Sequence, residues 1–205
     1  MKLLHLIASP NGSDSRSNQL AAAFVAAWQR KHPHGQVEVL DLNTEDLPPV
    51  TPASIGVKGA LARGIEVPAD LQSTWQAIEA QINRFLDADE LLISTPMWNF
   101  GVPYRLKHYL DVVFQPRYLF EYTAAGPRGL VTNVPLTIVT SRGGDYGPGS
   151  PAAAMDHLEP YLRTAFGFVG ITDVTVINAH GMDSGTPTER KAKLDQARIA
   201  AENAA

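Results

Sequence analysis

The sequence predicts an α/β protein in which a parallel sheet is doubly wound, with helices on both of its faces. Two observations carry that prediction. Five short segments, residues 3–8, 37–40, 90–94, 134–140 and 174–177, are apolar nearly throughout, as a strand covered on both sides requires. The segments between them have the helical period, so strand and helix alternate along the 205 residues and right-handed crossovers follow.

The elements follow in order. After the first strand a serine-rich loop leads into a helix whose apolar positions Leu20, Phe24 and Trp28 recur at i, i+4 and i+8. The second strand is followed by an irregular stretch, residues 42–70, with room for a short helix over residues 54–62 and for a wall of the active site or a dimer contact. Leu71, Trp75, Ile78, Ile82 and Phe85 mark the next helix. The third strand runs through a loop into a helix opened by Pro103 and carrying Leu106, Leu110 and Val113.

Residues 117–127 alternate Tyr118, Phe120 and Tyr122 before Gly126-Pro127, which predicts a short β-ribbon. A fourth helix is expected from Ser150-Pro151 to Gly167, with Met155, Leu158, Leu162 and Phe166 on its buried face. The last helix opens at Thr186-Pro187-Thr188-Glu189, a capping box with proline in the first turn, and Leu194, Ala197 and Ala201 give it a thin apolar stripe.

With 44% apolar and 19% charged residues, the chain is expected to form one domain over residues 1–205. A formal net charge of -4, spread without long runs of one sign, argues against a nucleic-acid partner. There is no cysteine, so disulfides, thiolate metal sites and cysteine nucleophiles are excluded. The opening MKLLHLIASP is too short an apolar run for a signal peptide or a membrane span, and a cytoplasmic protein is expected.

In a parallel sheet all strands end on one side, and ligands bind outside those ends where the winding reverses. Three post-strand loops are unusual there. The first, Ser9-Pro10-Asn11-Gly12-Ser13-Asp14-Ser15-Arg16-Ser17, supplies hydroxyls and helix N-terminal amides for an anion, with Arg16 its one cation. It lacks GxxxxGK[ST], so a phosphomonoester suits it better than a triphosphate. An ordinary helix cap at Ser15 or Ser17 explains the same residues.

The second loop, Pro96-Met97-Trp98-Asn99-Phe100-Gly101, combines aromatic surface with exposed main-chain amides, which suits a planar heteroaromatic ring; singly, its apolar residues read as core. The third, Ser141-Arg142-Gly143-Gly144, lets a ligand approach the backbone closely, or is a plain flexible turn. No GxSxG or HExxH occurs. Residues 147–152 formally match GxGxxA, but two prolines remove N–H donors from the turn that would have to hold pyrophosphate.

Taken together, Ser9…Ser15-Arg16-Ser17-Asn18-Gln19-Leu20, Pro96-Met97-Trp98-Asn99-Phe100 and Thr140-Ser141-Arg142-Gly143-Gly144 resemble the flavodoxin-like FMN-dependent NADH azoreductases, also described as quinone reductases. Gly129-Leu130-Val131 and Phe166-Gly167-Phe168-Val169-Gly170-Ile171 extend the resemblance over the whole chain. It implies a five-stranded sheet of order 2-1-3-4-5, one tightly bound FMN per subunit, and a homodimer whose partner walls part of the pocket. It further implies NADH as donor and quinones and azo compounds as acceptors in a ping-pong cycle, with no side-chain nucleophile and no metal.

Carried over by position, Ser9, Ser15, Arg16 and Ser17 would hold the phosphate and Met97, Trp98, Asn99 and Phe100 the isoalloxazine. Ser141, Arg142, Gly143 and Gly144 would bound its other edge. Trp98 stands where the family often has tyrosine, and Asp145-Tyr146 with Gly147-Pro148-Gly149 gives the third loop its own length. From aromatic content, Phe120, Tyr122 and Phe166 are expected to sandwich flat acceptors. The alternative is a flavodoxin-type electron carrier serving a protein partner, against which the mild charge argues.

Overall fold

The computed structural model describes all 205 residues. Strands β1 (Lys2–Ile7), β2 (Gln36–Asp41), β3 (Glu90–Pro96), β6 (Leu136–Ser141) and β7 (Val174–Ala179) form one sheet in the order β2-β1-β3-β6-β7. Every neighbouring pair in it is parallel. Strands β4 (Phe120–Thr123) and β5 (Gly126–Gly129) pair separately as an antiparallel ribbon. With the ribbon set aside, the sheet order is the expected 2-1-3-4-5.

Six helices cover the sheet: α1 (Arg16–Lys31), α2 (Pro52–Arg63), α3 (Gln72–Leu86), α4 (Tyr104–Val113), α5 (Leu158–Val169) and α6 (Pro187–Ala204). The core divides at the sheet. Leu4 and Leu6 of β1 belong to a cluster of 32 buried residues with side chains of α2 to α5, whereas Leu3 joins a cluster of 12 with Leu20, Phe24 and Trp28 of α1 and Ala197 and Ala201 of α6. This is the period-two alternation of a strand buried on both faces. The polar His5 and Ser94 share the parity of Leu3 and Leu92 and so face the smaller, α1 side.

The helix starts are chemically explicit. Ser15 caps α1 by accepting from the Asn18 N–H, and capping boxes open α2 (Thr51 with Ser54) and α6 (Thr186 with Glu189). The expected short helix within residues 42–70 is α2, closed by Gly64 at φ 69.

The fourth expected helix departs from its sequence bounds. Residues 151–157 form turns and a 3₁₀ segment, Ala153–Met155, and α5 begins at Leu158 because Asp156 is the effective cap. Its Oδ1 accepts from the N–H of Leu158 (3.0 Å) and of Glu159 (3.2 Å). Pro160 falls in the first turn, where no N–H is needed. Gly167 lies inside α5, which ends at Gly170, φ 105, and Met155 is exposed instead of joining the helix stripe. The GxGxxA match lies in turns with no α-helix directly after it, which removes the pyrophosphate reading.

Candidate functional site

The winding reverses between β1 and β3, and the loops after these strands meet the loop after β6 at a cleft of about 360 Å³. Of the residues singled out from sequence, Ser9, Ser15, Arg16, Met97, Trp98, Ser141, Arg142 and Gly143 line it. The Met97 N–H donates to the Ser141 carbonyl at 3.0 Å, tying the second loop to the third.

The first loop is held by a 3₁₀ turn, Gly12–Asp14, braced by side chains. Ser17 is fully buried, and its hydroxyl lies 3.1 Å from that of Ser15. The Asn18 amide donates to the Gly12 carbonyl (3.0 Å), and Gln19 donates to that of Ser13 (2.8 Å). The N–H groups of Arg16 and Ser17 donate to nothing in the protein, as first-turn amides have no intrahelical acceptor. Arg16 Nη1 pairs with Asp183 Oδ1 at 2.8 Å, so the loop's cation is already partnered.

The second loop is held by its backbone. Trp98 and Gly101 exchange N–H···O=C bonds, both 3.0 Å, around Asn99 (φ 47) and Phe100 (φ 69). That is a two-residue turn with both central residues left-handed, normally an Asn-Gly site. Phenylalanine there is strained, and such strain collects at ligand clamps. The turn leaves the Asn99 and Phe100 N–H groups without acceptors and exposes Trp98 and Phe100. The Phe100 carbonyl accepts from the His157 N–H at 2.9 Å, and its ring stands edge-on to Tyr146, centroids 6.4 Å apart.

In the third loop the Gly143 and Gly144 N–H groups are likewise unpartnered. A Cβ at Gly143 would stand 2.5 Å from Asp183 Oδ2, so any larger residue there pushes the Asp183 carboxylate aside. Arg142 differs from its sequence reading. Its side chain is wholly buried, paired with Asp156 Oδ2 at 2.7 Å and donating to Asn178 and Thr140, so only its main chain can meet a ligand. It joins the third loop to the start of α5, and through His157 to the Phe100 carbonyl. Nearby, His180 Nδ1 accepts from the Tyr146 N–H at 3.3 Å; burial and then Arg142 hold its pKa below the usual value.

The expected aromatic sandwich needs correction. Phe166 is fully buried against Phe114, centroids 5.7 Å apart, and Phe120 is 4% exposed, so both are core residues. The exposed aromatics there are Tyr122 and Phe168, on either side of Phe120. Tyr122 lies on β4 of the ribbon and Phe168 in the last turn of α5, and neither lines the cleft. Asn11 and Asp14, placed in the first loop by sequence without a role of their own, also line the cleft, and sequence reasoning missed Asp183. Asp183 follows β7, and the rule that ligands gather at strand carboxyl ends would have pointed to it.

A family model described as flavodoxin-like fold matches residues 1–204. An FMN-dependent NADH:quinone oxidoreductase of Laribacter hongkongensis is 38% identical over 94% of this chain and 94% of its own length. A second, from Pseudomonas syringae pv. tomato, is 40% identical over 86% of this chain and 85% of its own. Among solved structures, azoreductase AzrA superposes with a TM-score of 0.91 at 26% identity, covering 100% of this chain and 98% of its own. The azoreductase from Bacillus anthracis str. Sterne gives 0.87 at 27%, covering 99% of both.

Proposed function

This chain belongs to the flavodoxin-like family that includes the FMN-dependent NADH:quinone oxidoreductases, and from that premise we propose that it oxidises NADH and reduces quinones and aromatic azo compounds with FMN as cofactor. The observation that carries the reading is the set of unpartnered main-chain donors on the three loops that meet at the cleft: Arg16 and Ser17 on the first, Asn99 and Phe100 on the second, Gly143 and Gly144 on the third, of which Arg16 and Gly143 line it directly. A molecule with a phosphate on one end and a ring edged by carbonyls and nitrogens on the other fits that donor set. The named relatives are enzymes, which favours turnover over the electron-carrier alternative.

Ser9, Ser15, Ser17 and Arg16 would hold the phosphate of FMN, with the α1 dipole adding favourable potential. Met97 to Phe100 and Ser141 to Gly144 would hold its ring. The chemistry supplied by bound FMN is acceptance of a hydride from NADH and its delivery as two electrons to the acceptor, in ping-pong order. The chain's residues orient the ring and present fixed donors where charge develops. The exposed faces of Trp98 and Phe100 offer a stacking surface for flat molecules.

The working form is a homodimer. Tyr122 and Phe168 do not line the cleft and are exposed, as are Val50, Ile55 and Tyr104, more apolar surface than a lone chain gains by leaving wet. In this reading residues 1–205 act as one FMN-binding domain in the cytoplasm; no helix is long and apolar enough to cross a membrane. The purified protein is expected to be yellow or to take up one FMN per 22.2 kDa chain, to run at twice that mass, and to consume NADH with menadione. Absence of FMN binding ends the proposal, and FMN binding without turnover on any acceptor returns it to the carrier.

A further inference from the structure

Beneath the serine-rich loop lies a buried polar chain that the fold alone does not require. His5 on β1 is 6% exposed and Ser94 on β3 is fully buried; both point to the α1 face, where apolar residues such as Leu3, Phe24 and Leu92 pack. His5 Nε2 lies 3.0 Å from Ser94 Oγ, and Ser94 Oγ lies 3.0 Å from Asn18 Oδ1. Asn18 Nδ2 in turn meets the Gly12 carbonyl at 3.0 Å, and the Asn18 N–H donates to the Ser15 hydroxyl at 3.4 Å.

The proton positions in this chain follow from its far end. The Gly12 carbonyl can only accept, so the Asn18 amide must present its NH₂ there and its oxygen to Ser94. Ser94 therefore donates its one hydroxyl proton to Asn18, which leaves its lone pairs to accept from His5. His5 must then carry its proton on Nε2, and burial, which pushes its pKa down to about 4, keeps the ring neutral.

Every member has one allowed direction, and the direction runs from the sheet to the loop. We propose that His5 is a positioning residue for the phosphate end of the cleft, acting through the relay His5→Ser94→Asn18→Gly12 to hold the serine loop in its anion-binding shape. The inference rests on the FMN reading above. Its chemical object is the terminal phosphate alone, since no member of the relay lines the part of the cleft bounded by Trp98, Ser141 and Gly143.

The test compares FMN with riboflavin, which carries the same ring without the phosphate, by quenching of flavin fluorescence. In S94A, which cuts the relay, and in H5L, which removes its first donor, the Kd for FMN is expected to rise roughly five- to tenfold, the worth of about one buried hydrogen bond. The Kd for riboflavin is expected to stay within about twofold, and riboflavin binding also reports that the variant is folded. H5Q, whose amide nitrogen reaches where Nε2 stood, is expected to recover most of the FMN affinity.

An equal loss of both ligands, or no loss of either, overturns the relay while leaving the FMN reading intact. Wild-type protein that binds riboflavin as tightly as FMN overturns the phosphate role itself. Wild-type protein that binds neither ends the cofactor reading and this inference with it.

Discussion

The two ends of the cleft are built by opposite means. At the serine loop the one left-handed position falls on a glycine, Gly12 at φ 50, so the backbone is relaxed, and side chains brace its 3₁₀ turn: hydroxyl to hydroxyl, Asn18 to Gly12, and His5 and Ser94 beneath. At the Asn99-Phe100 turn the side chains are exposed and the backbone itself is bent into the left-handed region. A phosphate is a compact charge that many donor sets satisfy, so side-chain networks suffice. A ring edge needs N–H groups at fixed positions, and a strained turn closed by two main-chain bonds gives those. The ends should therefore fail differently, by side-chain deletion at one and by backbone change at the other.

The largest effect tests whether the turn is truly independent of buried side chains. Its Phe100 carbonyl is held by His157, next to the Arg142–Asp156 ion pair, whose side chains are 0% and 11% exposed. Breaking such a pair from one side strands a charge and costs about 3–5 kcal/mol. R142M is expected to lose that much stability in urea unfolding, and R142M/D156N, which removes the stranded charge but keeps an oxygen to cap α5, to regain most of it. If the double variant binds riboflavin like wild type, the turn keeps its shape without the pair and the comparison stands. Weak riboflavin binding by a stable double variant breaks it.

The next effect belongs to the serine-loop end. His5 has a folded pKa of about 4 against 6.5 for the free side chain. Between those values the unfolded chain takes up a proton that the native chain refuses, so stability falls as pH drops from about 6.5 to 4 and levels off below. The difference is on the order of 3 kcal/mol. His180, also held low, titrates in the same direction and is common to both proteins, so the readout is wild type minus H5L across that window. Equal pH dependence in both would show that His5 is not the buried neutral donor described.

The fold was legible because it rests on local apolar pattern. Both core faces follow from segments such as residues 3–8 and from stripes such as Leu20, Phe24 and Trp28. The start of α5 was misread because Ser150-Pro151 and Asp156 are both plausible caps, and only packing selects between them. The three loops were legible as a set, since each carries residues that a plain connection does not need.

The partners of those residues were not legible. Nothing in the pattern says that Arg142 turns inward to Asp156, that Phe120 is core while Tyr122 is surface, or that Asp183 reaches back to Arg16, because these depend on distances between segments remote in sequence. His5 is the sharpest case. In sequence it interrupts an apolar strand, and only the position of Ser94 and Asn18 shows why.

The smallest effect separates two neighbouring residues of the turn. Replacing either by glycine raises the backbone entropy of the unfolded chain, at roughly 0.5–1 kcal/mol. At Phe100, φ 69, that cost is offset by relief of left-handed strain worth roughly 1–2 kcal/mol. Asparagine tolerates the left-handed region, so Asn99 has little strain to relieve. F100G is therefore expected to unfold within about 1 °C of wild type or above it, and N99G about 2 °C lower, at the few degrees per kcal/mol usual for a chain of this length. F100G should also raise KM for menadione, having lost the exposed ring, while its FMN affinity stays near that of wild type. Equal loss of Tm in the two variants would mean the turn holds no strain, and the contrast between a cleft end shaped by side chains and one shaped by backbone would lose its second half.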